Sequence, residues 1–112
     1  MLEGCEFTME KLLPIGSIVY LRRGRQKLMI LNRGPQAKKD DQLARFDYSA
    51  TLYPMGIIPN QVTFFNSEDI DKVVFEGYVD VDEERFQETY QKWLEAEGKN
   101  IPKGKVGKTS KE

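Results

Sequence analysis

The chain has 112 residues, of which 39% are apolar and 31% charged, with no His and a single Cys. That length supports one domain around one modest core. The missing His and the lone Cys5 exclude histidine acid–base catalysis, a histidine or thiolate metal centre and an internal disulfide, a cysteine usage that fits a reducing cytoplasm.

The net charge of −1 hides a segregation. Eight Lys or Arg stand against two Asp between Arg22 and Arg45, a balance of +6. Twelve acids stand against three bases between Asp47 and Glu97, a balance of −9. Charge split in this way favours a protein partner of complementary potential over nucleic acid, which asks for one coherent basic face. No run approaches the roughly 18 apolar residues of a membrane span, and no basic N-terminus followed by an apolar run marks an export signal. The expectation is a cytoplasmic protein that binds neither membrane nor nucleic acid.

Met1 to Cys5 is mixed in character, and Phe7 to Leu13 has room for a helical turn. Pro14-Ile15-Gly16 then punctuates the chain. Ser17 to Arg22 and Lys27 to Asn32 are two apolar runs around Arg23-Gly24-Arg25-Gln26, the pattern of a β-hairpin. Both runs are apolar on both parities, so both faces of the hairpin should be covered. Gln36 to Gln42 reads as an exposed loop. From Ala44 to Leu52 apolar and polar residues alternate strictly, predicting one strand with one wet face. The connection from Tyr53 to Asn60 carries Pro54, Gly56 and Pro59, and its apolar Met55, Ile57 and Ile58 suggest packing rather than exposure.

Gln61 to Tyr78 holds two β-branched and aromatic bursts, Val62 to Phe65 and Val73 to Phe75. Asn66-Ser67-Glu68-Asp69 between them favours a turn or a first helical turn. Asp80 with Glu83 has capping-box spacing. Phe86, Tyr90, Trp93 and Leu94 then recur as the apolar stripe of a helix laid on a sheet. Acids crowd its first turn, and Glu97-Gly98 suits its end. From Lys99 onward hydrophobes nearly vanish, and the composition predicts disorder.

The expected fold is therefore α+β. A small antiparallel sheet of about five strands (17–22, 27–32, 44–52, 62–65 and 73–77) carries a C-terminal helix (81–97) on one face. Residues 1–98 form the domain and 99–112 a disordered, Lys-rich tail. No phosphate-binding glycine loop or nucleophile elbow occurs. Glu68, Asp69 and Asp71 lack the spacing of a calcium loop and read as a solvated, helix-starting cluster. Glu76 is a strand carboxylate with no evident partner. The basic tip Arg22, Arg23 and Arg25, with Arg33 beside it, is the candidate partner-binding surface; as a plain structural feature it would be a charged tip that keeps an edge soluble.

Several phrases in order carry a resemblance. They are Leu13 to Leu21, Gln26 to Ile30, Arg33-Gly34-Pro35, Asp47-Tyr48-Ser49, Leu52 to Gly56, Phe64 to Asp71 and Val74 to Tyr78. Across about residues 12–95 the chain resembles a small bacterial family known as domain of unknown function 4176. Members are typically encoded in type VII secretion clusters of Gram-positive bacteria, beside toxins with an LXG domain. The resemblance implies a non-enzymatic adaptor or targeting chaperone that binds such a toxin, at its helical secretion domain, before export. It implies no cofactor and supplies no catalytic residues. The alternatives are an immunity protein that neutralises a toxin and a small enzyme working through carboxylates; a homodimer is also compatible. A hairpin that is apolar on both parities and ringed by Arg22, Arg23, Arg25 and Arg33 suits an acidic amphipathic helix, so the hairpin side is the expected interface and the acidic helix side is not.

Overall fold

The computed structural model describes residues 11–39, 41–59, 61–105 and 107–108. The expected turn over Phe7–Leu13 lies largely outside them. Leu12 and Leu13 themselves lie in neither helix nor strand and pack into or against the core.

The architecture is α+β. The hairpin forms as expected from β1 (Ile18–Leu21) and β2 (Leu28–Arg33). The ladder continues through β5 (Tyr48–Leu52) and β6 (Thr63–Phe65) on one side, and β7 (Ile70–Phe75) on the other. With β8 (Gly107–Lys108) at the far edge, the antiparallel order is β7-β1-β2-β5-β6-β8. Four of the five expected strands lie in this sheet with their ends shifted by no more than three residues, and the fifth contributes its second half.

One face of the sheet carries Val19, Leu28, Ile30, Tyr48, Ala50 and Phe65, all buried. Helix α1 (Val81–Ala96) covers it. Tyr90 is buried, and Phe86, Trp93 and Leu94 pack against the same cluster, as the helical spacing predicts. The rings of Phe86, Tyr90 and Trp93 stack in sequence at 5.8 and 5.7 Å. Gly34, at φ +70, lets Tyr90 lie directly on β2's end; a Cβ there would meet the Tyr90 ring at 2.6 Å. The Leu12–Leu13 segment completes this layer. The Gln87 side chain donates to Leu12 O (2.8 Å) and accepts from Leu12 N (3.1 Å), and Leu13 N donates to the Tyr48 hydroxyl (2.9 Å). The opposite parity of the hairpin (Ile18, Tyr20, Met29 and Leu31) is half-buried.

Four expectations are corrected. The single strand over 44–52 is broken at Phe46–Asp47. Its first part joins a separate ribbon, in which β3 (Gln36–Lys39) pairs with β4 (Gln42–Arg45). The polar 36–42 segment is thus a hairpin, not a loop; with no core beneath it, it needs no apolar alternation. Asp41 supplies the left-handed φ of +64 at its turn, a conformation that Asp tolerates. The second part, β5, has no wet face. Ser49 and Thr51 are buried; Ser49 accepts a bond from Asn32 Nδ2 (2.9 Å), and Thr51 donates to Gly56 O.

The fourth correction concerns the described part, through Lys105, of the segment read as a disordered tail over 99–112; residues 106 and 109–112 lie outside the described residues. After the helix, Gly98–Asn100 forms a 3-10 turn, and the chain then docks beside β4. Arg45 N donates to Pro102 O and Gly104 N to Arg45 O, both at 2.9 Å. The Arg45 Nε reaches Gly98 O (2.9 Å) and Ile101 O (3.1 Å), and Gly104 lies against the Phe46 ring. Backbone and glycine contacts hold this segment, which is why its lack of hydrophobes was misleading.

Candidate functional site

The loop between β1 and β2 presents the expected basic tip. Gly24 N donates to Leu21 O (2.9 Å), closing a turn in which Arg23 takes a left-handed φ of +69. Non-glycine residues adopt that conformation at a cost of about 1–2 kcal/mol. Arg22 anchors the loop to the 3-10 turn Ser67–Asp69: its backbone N donates to Asp69 O (3.0 Å) and its Nε to Glu68 O (3.0 Å). Arg22, Arg23 and Arg25 are all exposed.

The 53–59 connection returns to this same end of the sheet. Leu28 pairs with Leu52, Tyr53 N donates to Lys27 O (2.9 Å), and the Lys27 ammonium sits 5.6 Å from the centre of the Tyr53 ring. Met55 and Ile57 were expected to pack, yet they are 52% and 69% exposed, and Tyr53 is 41% exposed. Basic and apolar side chains therefore share one end of the fold. The sequence signal for the apolar part was an unusually hydrophobic stretch between two prolines, read there as packing.

Arg33 does not belong to this surface. It ends β2 at the opposite end, about 20 Å away along the strand. Its side chain is only 6% exposed and makes a two-pronged pair with Glu83, at 2.8 and 2.7 Å. The same guanidinium donates to Leu13 O (3.0 Å) and lies 4.1 Å from the centre of the Phe86 ring. Arg33 is the pin between sheet, helix and N-terminal segment. Its bonds hold the Glu83 carboxyl below its ordinary value, against the upward push of burial, with Gln87 adding a further bond. Asp80 caps the helix as expected, its Oδ1 accepting from Glu83 N (3.1 Å). The Glu83 side chain is drawn to Arg33 instead of closing the capping box.

The acid cluster is divided among structural duties. Asp69 accepts from Asn66 N (2.9 Å), Glu68 pairs with Lys103 (3.2 Å), and Asp71 is exposed on β7. Buried Asp47 accepts from Ser67 N (2.8 Å) and lies 3.3 Å from Lys103 Nζ. Burial works against the Lys103 charge, but Asp47 and Glu68 outweigh it and raise its pKa. Buried Asn66 accepts from Asp47 N (3.0 Å) and donates to Gly104 O (2.9 Å). These groups clasp the 98–105 segment onto the break between β4 and β5. Glu76 is exposed just beyond β7. No helix among the described residues is long and apolar enough to cross a membrane.

Compared with known proteins, the chain matches over residues 12–86 the family model described as "Domain of unknown function (DUF4176)". The match runs from the Leu12 segment through the whole hairpin to the first turns of α1. No curated protein and no solved structure matches the chain.

Proposed function

Since the chain belongs to the DUF4176 family, we propose that it is a non-enzymatic adaptor, a targeting chaperone that binds an LXG-type toxin for type VII secretion. The observation that supports this reading is the shared end of the sheet, where Arg22, Arg23, Arg25 and Lys27 stand beside exposed Tyr53, Met55 and Ile57. Such a surface suits an acidic amphipathic helix. The arginines steer and orient the partner, and burial of the apolar side chains provides affinity. The protein acts in the cytoplasm in this reading, before export of its cargo.

The test is capture of the two separated halves of a toxin encoded beside this protein. The helical half is retained by the wild type. Arg23→Glu/Arg25→Glu weakens that binding by about tenfold or more, equivalent to about 1.4 kcal/mol, with the domain still folded. Retention of the catalytic half instead would identify an immunity protein and overturn the proposal.

A further inference from the structure

A groove of about 450 Å³ runs along the opposite side of the molecule, between α1 and the extended chain that follows β7. Leu12 and Pro14 form its floor, and Glu76 and Val79 its outer wall. Its inner wall is the helix face of Glu84, Gln87, Glu88 and Gln91, residues spaced over two turns or about 10 Å of axis. The floor residues are buried, while Val79 is 47% exposed. Val79 is thus the exposed apolar part of the lining, beside a rim of carboxylates. Glu83 also lines the groove, but Arg33 already neutralises it. Among the described residues Lys11 is the one cation in the lining, and it helps to lower the Glu83 pKa.

We propose that this groove is a second docking site, for a basic amphipathic helix of a partner protein. Charge complementarity selects the occupant. Glu84 and Glu88 stand one turn apart on α1, so a helix lying alongside with Lys or Arg at i and i+4 meets both, while an apolar residue on it covers Val79. The chain's own residues before Lys11 are poorly matched: they carry Glu3, Glu6 and Glu10 and no Lys or Arg. The site is distinct from the basic end of the sheet in place and in sign. A protein with both surfaces bridges an acidic segment and a basic one.

The experiment uses the full chain and a fluorescein-labelled, end-blocked Leu/Lys peptide of about four helical turns, with the same peptide bearing Glu for Lys as control. Anisotropy shows binding of the Lys peptide that weakens between about 0.05 and 0.3 M salt, and amide shifts on titration fall at 76–79 and 84–91. Glu84→Lys/Glu88→Lys lowers affinity by about tenfold or more, whereas Asp71→Lys/Glu97→Lys, with the same change in net charge but off this helix face, shifts it less than about twofold. Equal losses in the two variants, binding of the Glu peptide, or shifts confined to other surfaces would each overturn the proposal. So would tighter binding on removal of residues 1–10, which would place the chain's own segment in the groove. Self-association abolished by the Glu84/Glu88 variant would equally overturn it, by naming a second copy as the occupant. None of these outcomes bears on the Arg23/Arg25 test, which uses the other end of the fold.

Discussion

Replacing Glu83 with Gln removes the counter-charge of Arg33 while preserving size and one acceptor oxygen. The guanidinium stays where it is, 6% exposed, bonded to Leu13 O and flat on Phe86. It loses one of two charge-assisted bonds and the charge that balanced its burial. Stranding one partner of a buried pair costs about 3–5 kcal/mol, and the retained amide oxygen recovers part of that, leaving about 2–3 kcal/mol. For a domain of this size that is a fall of roughly 10 °C or more in Tm, read by near-UV circular dichroism at pH 7. The pH dependence sharpens the test. Glu83 has its folded-state pKa lowered from 4.5, so its contribution is fully present above that value and disappears as pH falls through the folded pKa. The gap between wild type and Glu83→Gln is therefore widest near neutrality and closes on acidification as the pH falls below 4.5 and through the lowered folded-state value. Arg33→Met/Glu83→Leu, which removes both charges together, regains most of the loss. A Glu83→Gln protein that melts like the wild type at pH 7, with an unchanged acid profile, would refute the pin.

Other outcomes follow from the same contacts. Trp93→Ala lowers unfolding free energy by about 3 kcal/mol in urea, because its ring packs on Tyr90 and covers Gly98; an unchanged midpoint would make the aromatic stripe a surface. Deleting residues 99–112 costs about 3 kcal/mol through the lost bonds to Arg45 and Asn66, and a melting temperature equal to the full chain's would show that this segment is not docked. Arg23→Gly relaxes the left-handed turn, so stability holds or rises by up to about 1 kcal/mol. The same change should weaken capture of the toxin's helical half, and a loss of stability instead would show that Arg23 has structural partners.

Much of the fold was legible because its signals are local. The hairpin follows from two apolar runs around a Gly turn, and α1 from a stripe at 3.6-residue spacing that begins at Asp80 and ends before Gly98. The turn at Asn66–Asp69 was visible in its side-chain acceptors. What the residues could not declare was which distant segment each would meet. Alternation through 44–52 is the same whether the strand is continuous or broken, and the break comes from the 98–105 segment pairing beside Arg45 while β5 goes on into the main sheet. That segment looked solvated because backbone bonds and a glycine against Phe46 leave no hydrophobic pattern. Arg33 looked like one more surface arginine; only the meeting of β2, α1 and Leu13 gives it a buried carboxylate and an aromatic ring. Charge segregation, a property of composition, was legible from the outset. Which charges face solvent beside apolar surface was decided by the packing of one helix across the sheet, since burial depends on the neighbours that folding brings together.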